Sequence, residues 1–233
     1  MERGLESSRA RAQARILAGD VIVGENRVDK AGHLVGDTDL IRLKDNSLPY
    51  VSRGGFKLEA ALKAWPGAIK NAICLDVGAS TGGFTDVLLQ NGAQKVYAVD
   101  VGHNQLAYSL RIDPRVQVFE KTHILKIPEG FFDPKPSVVV IDVSFISLEK
   151  ILPSILKFLN KPALIYLLIK PQFEVGPGLI EKGGIVKNQA AREQVRDKIL
   201  NLALSLGLQI RGHQESPITG TGGNVEYLAG LSL

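Results

Sequence analysis

The chain has 233 residues, of which 45% are hydrophobic and 22% charged, with a formal net charge of +4. That is room for one full domain and a small appendage, with enough apolar material for a sizeable core, so wholesale disorder is excluded. The longest uncharged stretch, from Ile199 to Ile210, is too short to cross a bilayer, and the Arg-rich start carries no apolar signal core, so the expected location is cytoplasmic.

In chain order, Ser8 is placed to cap a helix over Arg9–Ala18, and Gly19 stops it. Short strands follow at Val21–Val23, Arg27–Val28 and Leu40–Leu43, separated by turn-formers. The turn-rich segment Asn46-Ser47-Leu48-Pro49 marks a domain boundary, dividing the chain into residues 1–46 and 47–233. Arg9, Arg11 and Arg15 lie on the first helix, Arg3 precedes it, Lys30 and Arg42 belong to the β unit, and Arg53 follows the boundary. Such a set can grip phosphates without reading sequence. The alternative is a solvated charged helix, since acidic residues nearly balance the basic ones in this region. A pI of about 9.1 fits a polyanionic partner without requiring one.

Beyond the boundary, apolar runs alternate with helical patterns, the signature of βαβ units and a doubly wound parallel sheet. Strands are expected at Ile73–Val77, Lys95–Asp100, Val116–Glu120, Ser137–Asp142 and Ala163–Lys170. Helices are expected at Lys57–Trp65, Gly83–Asn91, Asn104–Leu110, Leu148–Leu159 and Gln189–Leu206. The last two strands, Leu208–His213 and Asn224–Leu231, are joined by a Gly-rich loop and read as an antiparallel hairpin closing a seven-stranded sheet.

Asp76-Val77-Gly78-Ala79-Ser80-Thr81-Gly82-Gly83-Phe84 carries a strand into a Gly-rich turn and then a helix, the place where doubly wound sheets bind nucleoside cofactors. Asp100, at the end of the next strand, is placed to accept hydrogen bonds from ribose hydroxyls. The turn half-matches a dinucleotide fingerprint, with Ser80 where the second Gly should stand. That imperfect phosphate cradle favours S-adenosylmethionine, which has no phosphate, and Asp76 is expected to face its ammonium group. The plain alternative is an ordinary strand-to-helix turn.

Asp142 and Lys170 each end an apolar strand, at the edge where ligands bind. Lys57 opens a helix against its dipole, and Glu226 is flanked by apolar residues in an expected strand. Taken singly, these four fit a rim ion pair, an unfavoured helix start and an outward-facing edge position. Cys74 reads as a small buried hydrophobe, and His33, His103, His123 and His213 lack metal-ligand spacing, so no metal is expected.

The runs Tyr50–Leu58, Asp76–Phe84, Asp142–Leu148, Leu168–Glu174 and Ser216–Glu226 together resemble the TlyA family, over nearly the whole chain. The resemblance implies an S-adenosylmethionine-dependent ribosomal RNA 2′-O-methyltransferase, with an FtsJ-like catalytic domain behind a small alpha-L (S-four type) RNA-binding domain. The family's catalytic Lys-Asp-Lys-Glu tetrad maps onto Lys57, Asp142, Lys170 and Glu226. Many members carry a haemolysin label, and a non-catalytic ribosome-assembly role is the other alternative. The family usually begins with a helix start before the present Met1, so the small domain is expected to be incomplete. The segment Glu120–Leu125 also departs from the family's usual Thr-Asn-x-Arg. The expected partner is ribosomal RNA or a ribosomal subunit, and the expected oligomeric state a monomer.

Overall fold

Val138-Val139-Val140-Ile141 is buried on both faces, as a central strand of a parallel sheet requires, and the rest of the fold is arranged around it. A computed structural model describes residues 3–6, 8–17, 19–43 and 49–233, in two compact units, Met1–Pro49 and Tyr50–Leu233. The expected cap residue Ser8 accepts a hydrogen bond from the Arg11 amide at 3.3 Å. Ala18 and the break at Asn46–Leu48 lie outside the described residues.

The first unit holds helix α1 (Arg9–Leu17) and strands β1 (Val21–Val23), β2 (Asn26–Val28) and β3 (Ile41–Leu43). β1 is central and antiparallel to both neighbours, with Val21 and Val28 buried.

The second unit runs through α2 (Gly55–Ala64), β4 (Ile73–Val77), α3 (Gly83–Gln90), β5 (Lys95–Val99), α4 (Tyr108–Arg111) and β6 (Val116–Phe119). It continues with β7 (Val138–Ile141), α5 (Leu148–Ile155), β8 (Leu164–Ile169), α6 (Gln189–Ser205), β9 (Gln209–Glu215) and β10 (Tyr227–Ser232). The seven-stranded sheet has the order β6-β5-β4-β7-β8-β10-β9, parallel except for β10 and β9, which is the expected doubly wound sheet with its antiparallel hairpin. Leu75, Val139 and Ile165 face the core under α5 and α6, while Cys74, Val138 and Tyr166 face the core under α2 and α3. Burial on both sides is why these strands read as unbroken apolar runs.

Two expectations move. The helix expected over Asn104–Leu110 shortens to one turn at Tyr108–Arg111. Glu226 is not an outward-facing edge residue: it precedes β10, which is flanked by β8 and β9, and only 2% of it is exposed. Among the described residues no helix is long and apolar enough to cross a membrane.

Candidate active site

The chain enters the sheet at β4, moves outward through β5 and β6, then returns to β7 on β4's other side. The carboxyl ends of β4 and β7 therefore flank a topological switch point, where such sheets open a crevice. A cavity of about 940 Å³ lies there, with Gly78, Ser80, Asp100, Gln105, Asp142 and Phe145 on its wall. Gly78 holds φ +89°, and a Cβ built on it would lie 2.2 Å from the Asp142 carbonyl oxygen. The left-handed turn and the close approach of β4's end to β7's end both depend on the missing side chain. Gly78→Ala is expected to cost about 2 kcal/mol or more of stability and to displace Asp142, read by thermal unfolding beside a methyl-transfer assay.

Four charged side chains converge beside this crevice. Asp142 directly follows β7 and Lys170 directly follows β8, so these neighbouring parallel strands carry both to the same edge of the sheet. Lys170 Nζ lies 2.6 Å from Asp142 Oδ1 and donates a hydrogen bond to Ser144 Oγ at 3.0 Å. Tyr227 pairs with Ile169, so Glu226 arrives next to Lys170 from the antiparallel strand. Lys57 comes from α2, whose start rests on Gly83: a Cβ there would sit 2.9 Å from the Gly55 amide nitrogen. Lys57 Nζ donates to Glu226 Oε2 at 2.6 Å, and both residues are buried. This partner explains how a cation is tolerated in the first turn of a helix. The tetrad is thus two ion pairs, 57–226 and 142–170, rather than two amines pressed together.

Asp100 accepts from the Ser80 amide at 2.8 Å and the Gly102 amide at 2.6 Å, one on each carboxylate oxygen. It ties the Gly-rich turn to the end of β5 and retains one further lone pair per oxygen for a ligand. Ser80 is held at φ +47°, an uncommon conformation for a non-glycine residue. Thr81, Gly83 and Phe84 border a smaller hollow of about 150 Å³ shared with Ser52 and Gly54. Gly82 does something other than expected: its missing side chain makes room for Leu106 and Leu110, since a Cβ would lie 2.3 Å from Leu110 Cδ1.

Asp76 also departs from expectation. It is fully buried, accepts from Thr85 Oγ1 at 2.6 Å, and leaves Oδ1 without a partner. Burial, with Asp142 and Asp100 adding negative charge and Thr85 opposing, pushes its pKa up to about 7. A sealed carboxyl anchoring α3 to β4 holds the turn in place from behind. The unusual segment Glu120–Leu125 contributes Thr122, His123 and Ile124 to the cavity wall. Within it Glu120 accepts from Arg111 Nη2 at 2.6 Å, and that guanidinium holds its carboxyl down at about 2.

Sequence reasoning passed over three residues. Ser144 holds Lys170, Gln172 donates to Glu226, and Glu174 accepts from Ser147 Oγ at 2.6 Å and the Leu148 amide at 2.7 Å. Glu174 thereby clamps the turn after β8 to the start of α5, and burial raises its pKa. Phe145, at φ +63° and 90% exposed, packs against Phe173 with ring centroids 5.0 Å apart at the cavity mouth.

The basic residues expected to hold RNA divide into those bonded to partners inside the first unit and those that simply lie at the surface. Arg3 donates to the Gly36, Asp37 and Asp39 carbonyls, Arg11 and Arg15 pair with Glu6, and Arg42 donates to the Gly24 carbonyl. Arg9, Lys30 and Arg53 are exposed.

Residues 50–233 match the FtsJ-like methyltransferase family. The chain is 48% identical to Hemolysin A of Brachyspira hyodysenteriae, covering 97% of this chain and 94% of that protein. It is 42% identical to the 16S/23S rRNA (cytidine-2′-O)-methyltransferase TlyA of Mycobacterium tuberculosis, covering 99% of this chain and 87% of that protein. A hemolysin-named structure from Streptococcus thermophilus superposes with a TM-score of 0.78 at 43% identity, over 99% of this chain and 85% of that one.

Proposed function

The chain belongs to the FtsJ-like methyltransferase family, and from that premise we propose that it methylates a ribose 2′-hydroxyl of ribosomal RNA, using S-adenosylmethionine. The observation that carries this reading is that Asp142, on the wall of the switch-point cavity, is paired with Lys170, while strand register brings Glu226, paired with Lys57, next to Lys170.

The cavity fits the cofactor. Its volume lies in the range of small-molecule sites, and the turn at Gly78 leaves the backbone open to close approach. Two carboxylates, Asp100 and Asp142, face it, a donor set that suits a cationic sulfonium and repels a pyrophosphate. Bound there, S-adenosylmethionine supplies an electrophilic methyl group.

Asp100 holds the ribose end through the lone pairs its two amide contacts leave free. Asp100→Ala is expected to weaken cofactor binding by about 1–3 kcal/mol, read by calorimetry. Lys170, paired with Asp142, orients the substrate hydroxyl, and the 142–170 pair takes up the hydroxyl proton as the oxygen–carbon bond forms and the sulfur–carbon bond breaks. Lys57 and Glu226 present a second set of polar groups to the same ribose. Phe145 offers an exposed ring face on which an unstacked base can rest.

The first unit is read as the alpha-L RNA-binding domain, with Arg9 and Lys30 available to phosphates. Purified protein incubated with labelled S-adenosylmethionine and unmodified ribosomal subunits is expected to label RNA in nuclease-released 2′-O-methyl nucleotides. Label absent from RNA, with an active relative working in parallel, overturns the reading.

A further inference from the structure

Lys170 is followed by a tight helical turn, Pro171–Phe173, and the middle residue of that turn points back into the site. Gln172 Nε2 donates to Glu226 Oε1 at 3.3 Å, while Lys57 Nζ donates to Glu226 Oε2 at 2.6 Å. The two oxygens of one buried carboxylate are thus held by donors from different elements.

Gln172 Oε1, in contrast, is buried without a hydrogen-bond partner. Turning the amide over would not help, because it would set a carbonyl oxygen against the Glu226 carboxylate and remove the donor. The orientation is therefore dictated by Glu226, and the orphaned acceptor is a cost accepted at that point. Gly220 closes the same side, since a Cβ on it would lie 2.0 Å from Glu226 Oε1. Little room is left there for water to replace the amide.

We propose that Gln172 is a positioning residue of the methyl-transfer site: it fixes the plane of the Glu226 carboxylate, and through it the direction in which Lys57 presents its ammonium group. The proposal rests on the methyltransferase reading above. A carboxylate held at one oxygen can rotate about its Cγ–Cδ bond, whereas one held at both cannot. Gln172 is also only two residues from Lys170, so the same short turn couples the 57–226 pair to the 142–170 pair.

Two variants test it. Gln172→Leu keeps the shape and removes the donor. It is expected to lower kcat about 10-fold, with S-adenosylmethionine affinity by calorimetry and the unfolding temperature close to wild type. Gln172→Glu places a carboxyl opposite Glu226, with Lys57, Lys170 and Asp142 as the charged neighbours. When protonated it donates to Glu226 Oε1 as the amide did, and when ionised it repels Glu226. Its activity relative to wild type is therefore expected to be highest near pH 6 and to fall steadily toward pH 9. A purely structural role would lower the unfolding temperature and leave that ratio flat.

Wild-type kcat in Gln172→Leu, or a flat ratio in Gln172→Glu, overturns the proposal. Should Gln172→Leu not fold, the pH series of Gln172→Glu decides alone. Wild-type protein that transfers no methyl group to ribosomal RNA overturns instead the reading on which the proposal rests.

Discussion

Lys170→Ala is expected to lower the turnover number about 100-fold or more, while the fold and the affinity for S-adenosylmethionine stay near those of the wild type. The amine lies 2.6 Å from Asp142 and 3.0 Å from Ser144, at the end of a strand whose apolar residues already secure the sheet. Removing it deletes a group aimed at the substrate and little that holds the core. The Asp142 side chain is itself 22% exposed, so the carboxylate left behind has some access to water. Lys170→Arg separates two roles. A guanidinium keeps the charge and the contact with Asp142 but does not give up its proton in a protein. Activity as low as in the alanine variant assigns proton uptake to Lys170, and recovered activity assigns positioning. If Lys170→Ala methylates at the wild-type rate and loses only stability, the pair with Asp142 is a rim ion pair and the catalytic assignment falls.

Asp76→Asn is expected to change how stability depends on pH. In the folded protein burial pushes the Asp76 carboxyl from 3.8 up to about 7. An acid with a raised folded-state pKa binds more protons when folded than when unfolded. The folded state therefore loses stability as pH rises from about 4 to about 7. A shift of that size corresponds to a loss on the order of 4 kcal/mol, reached near neutrality. The asparagine variant carries no such charge and keeps an acceptor for Thr85. Its stability relative to wild type should rise through this window and level off above it, as read from urea unfolding at pH 4, 6 and 8. Parallel curves for the two proteins would show that Asp76 does not titrate in this range.

Asp100 and Asp76, the two carboxylates flanking the Gly-rich turn, illustrate what could be read from the sequence alone. Asp100 stood out because a polar residue ended an apolar strand about one βα unit after a Gly-rich turn, and the structure sets it at the cavity with its carboxylate gathering two backbone amides. Asp76 gave the same one-dimensional signal yet faces α3, sealed behind the turn. The difference is a matter of strand parity and helix packing. Asp76 lies within β4 on the face covered by α2 and α3, whereas Asp100 lies just past the end of β5, where no helix covers it.

The sequence by itself determined the order of strands and helices and the doubly wound sheet, and it singled out four charged residues that only the family resemblance joined into one set. Those features are local: unbroken apolar runs, turn-formers between them, and charges at strand ends where packing alone offers no reason for them. Only the tertiary structure decided how the four divide into pairs. Register between β8 and β10 places Glu226 beside Lys170, yet the reach of α2 across Gly83 gives Glu226 to Lys57 and leaves Lys170 to Asp142. The role of Gln172 was equally hidden, because its one donor bond spans 54 residues and depends on a turn closing onto an antiparallel strand. Side-chain partnership across such distances is set by which backbones approach each other, and no spacing along the chain records it.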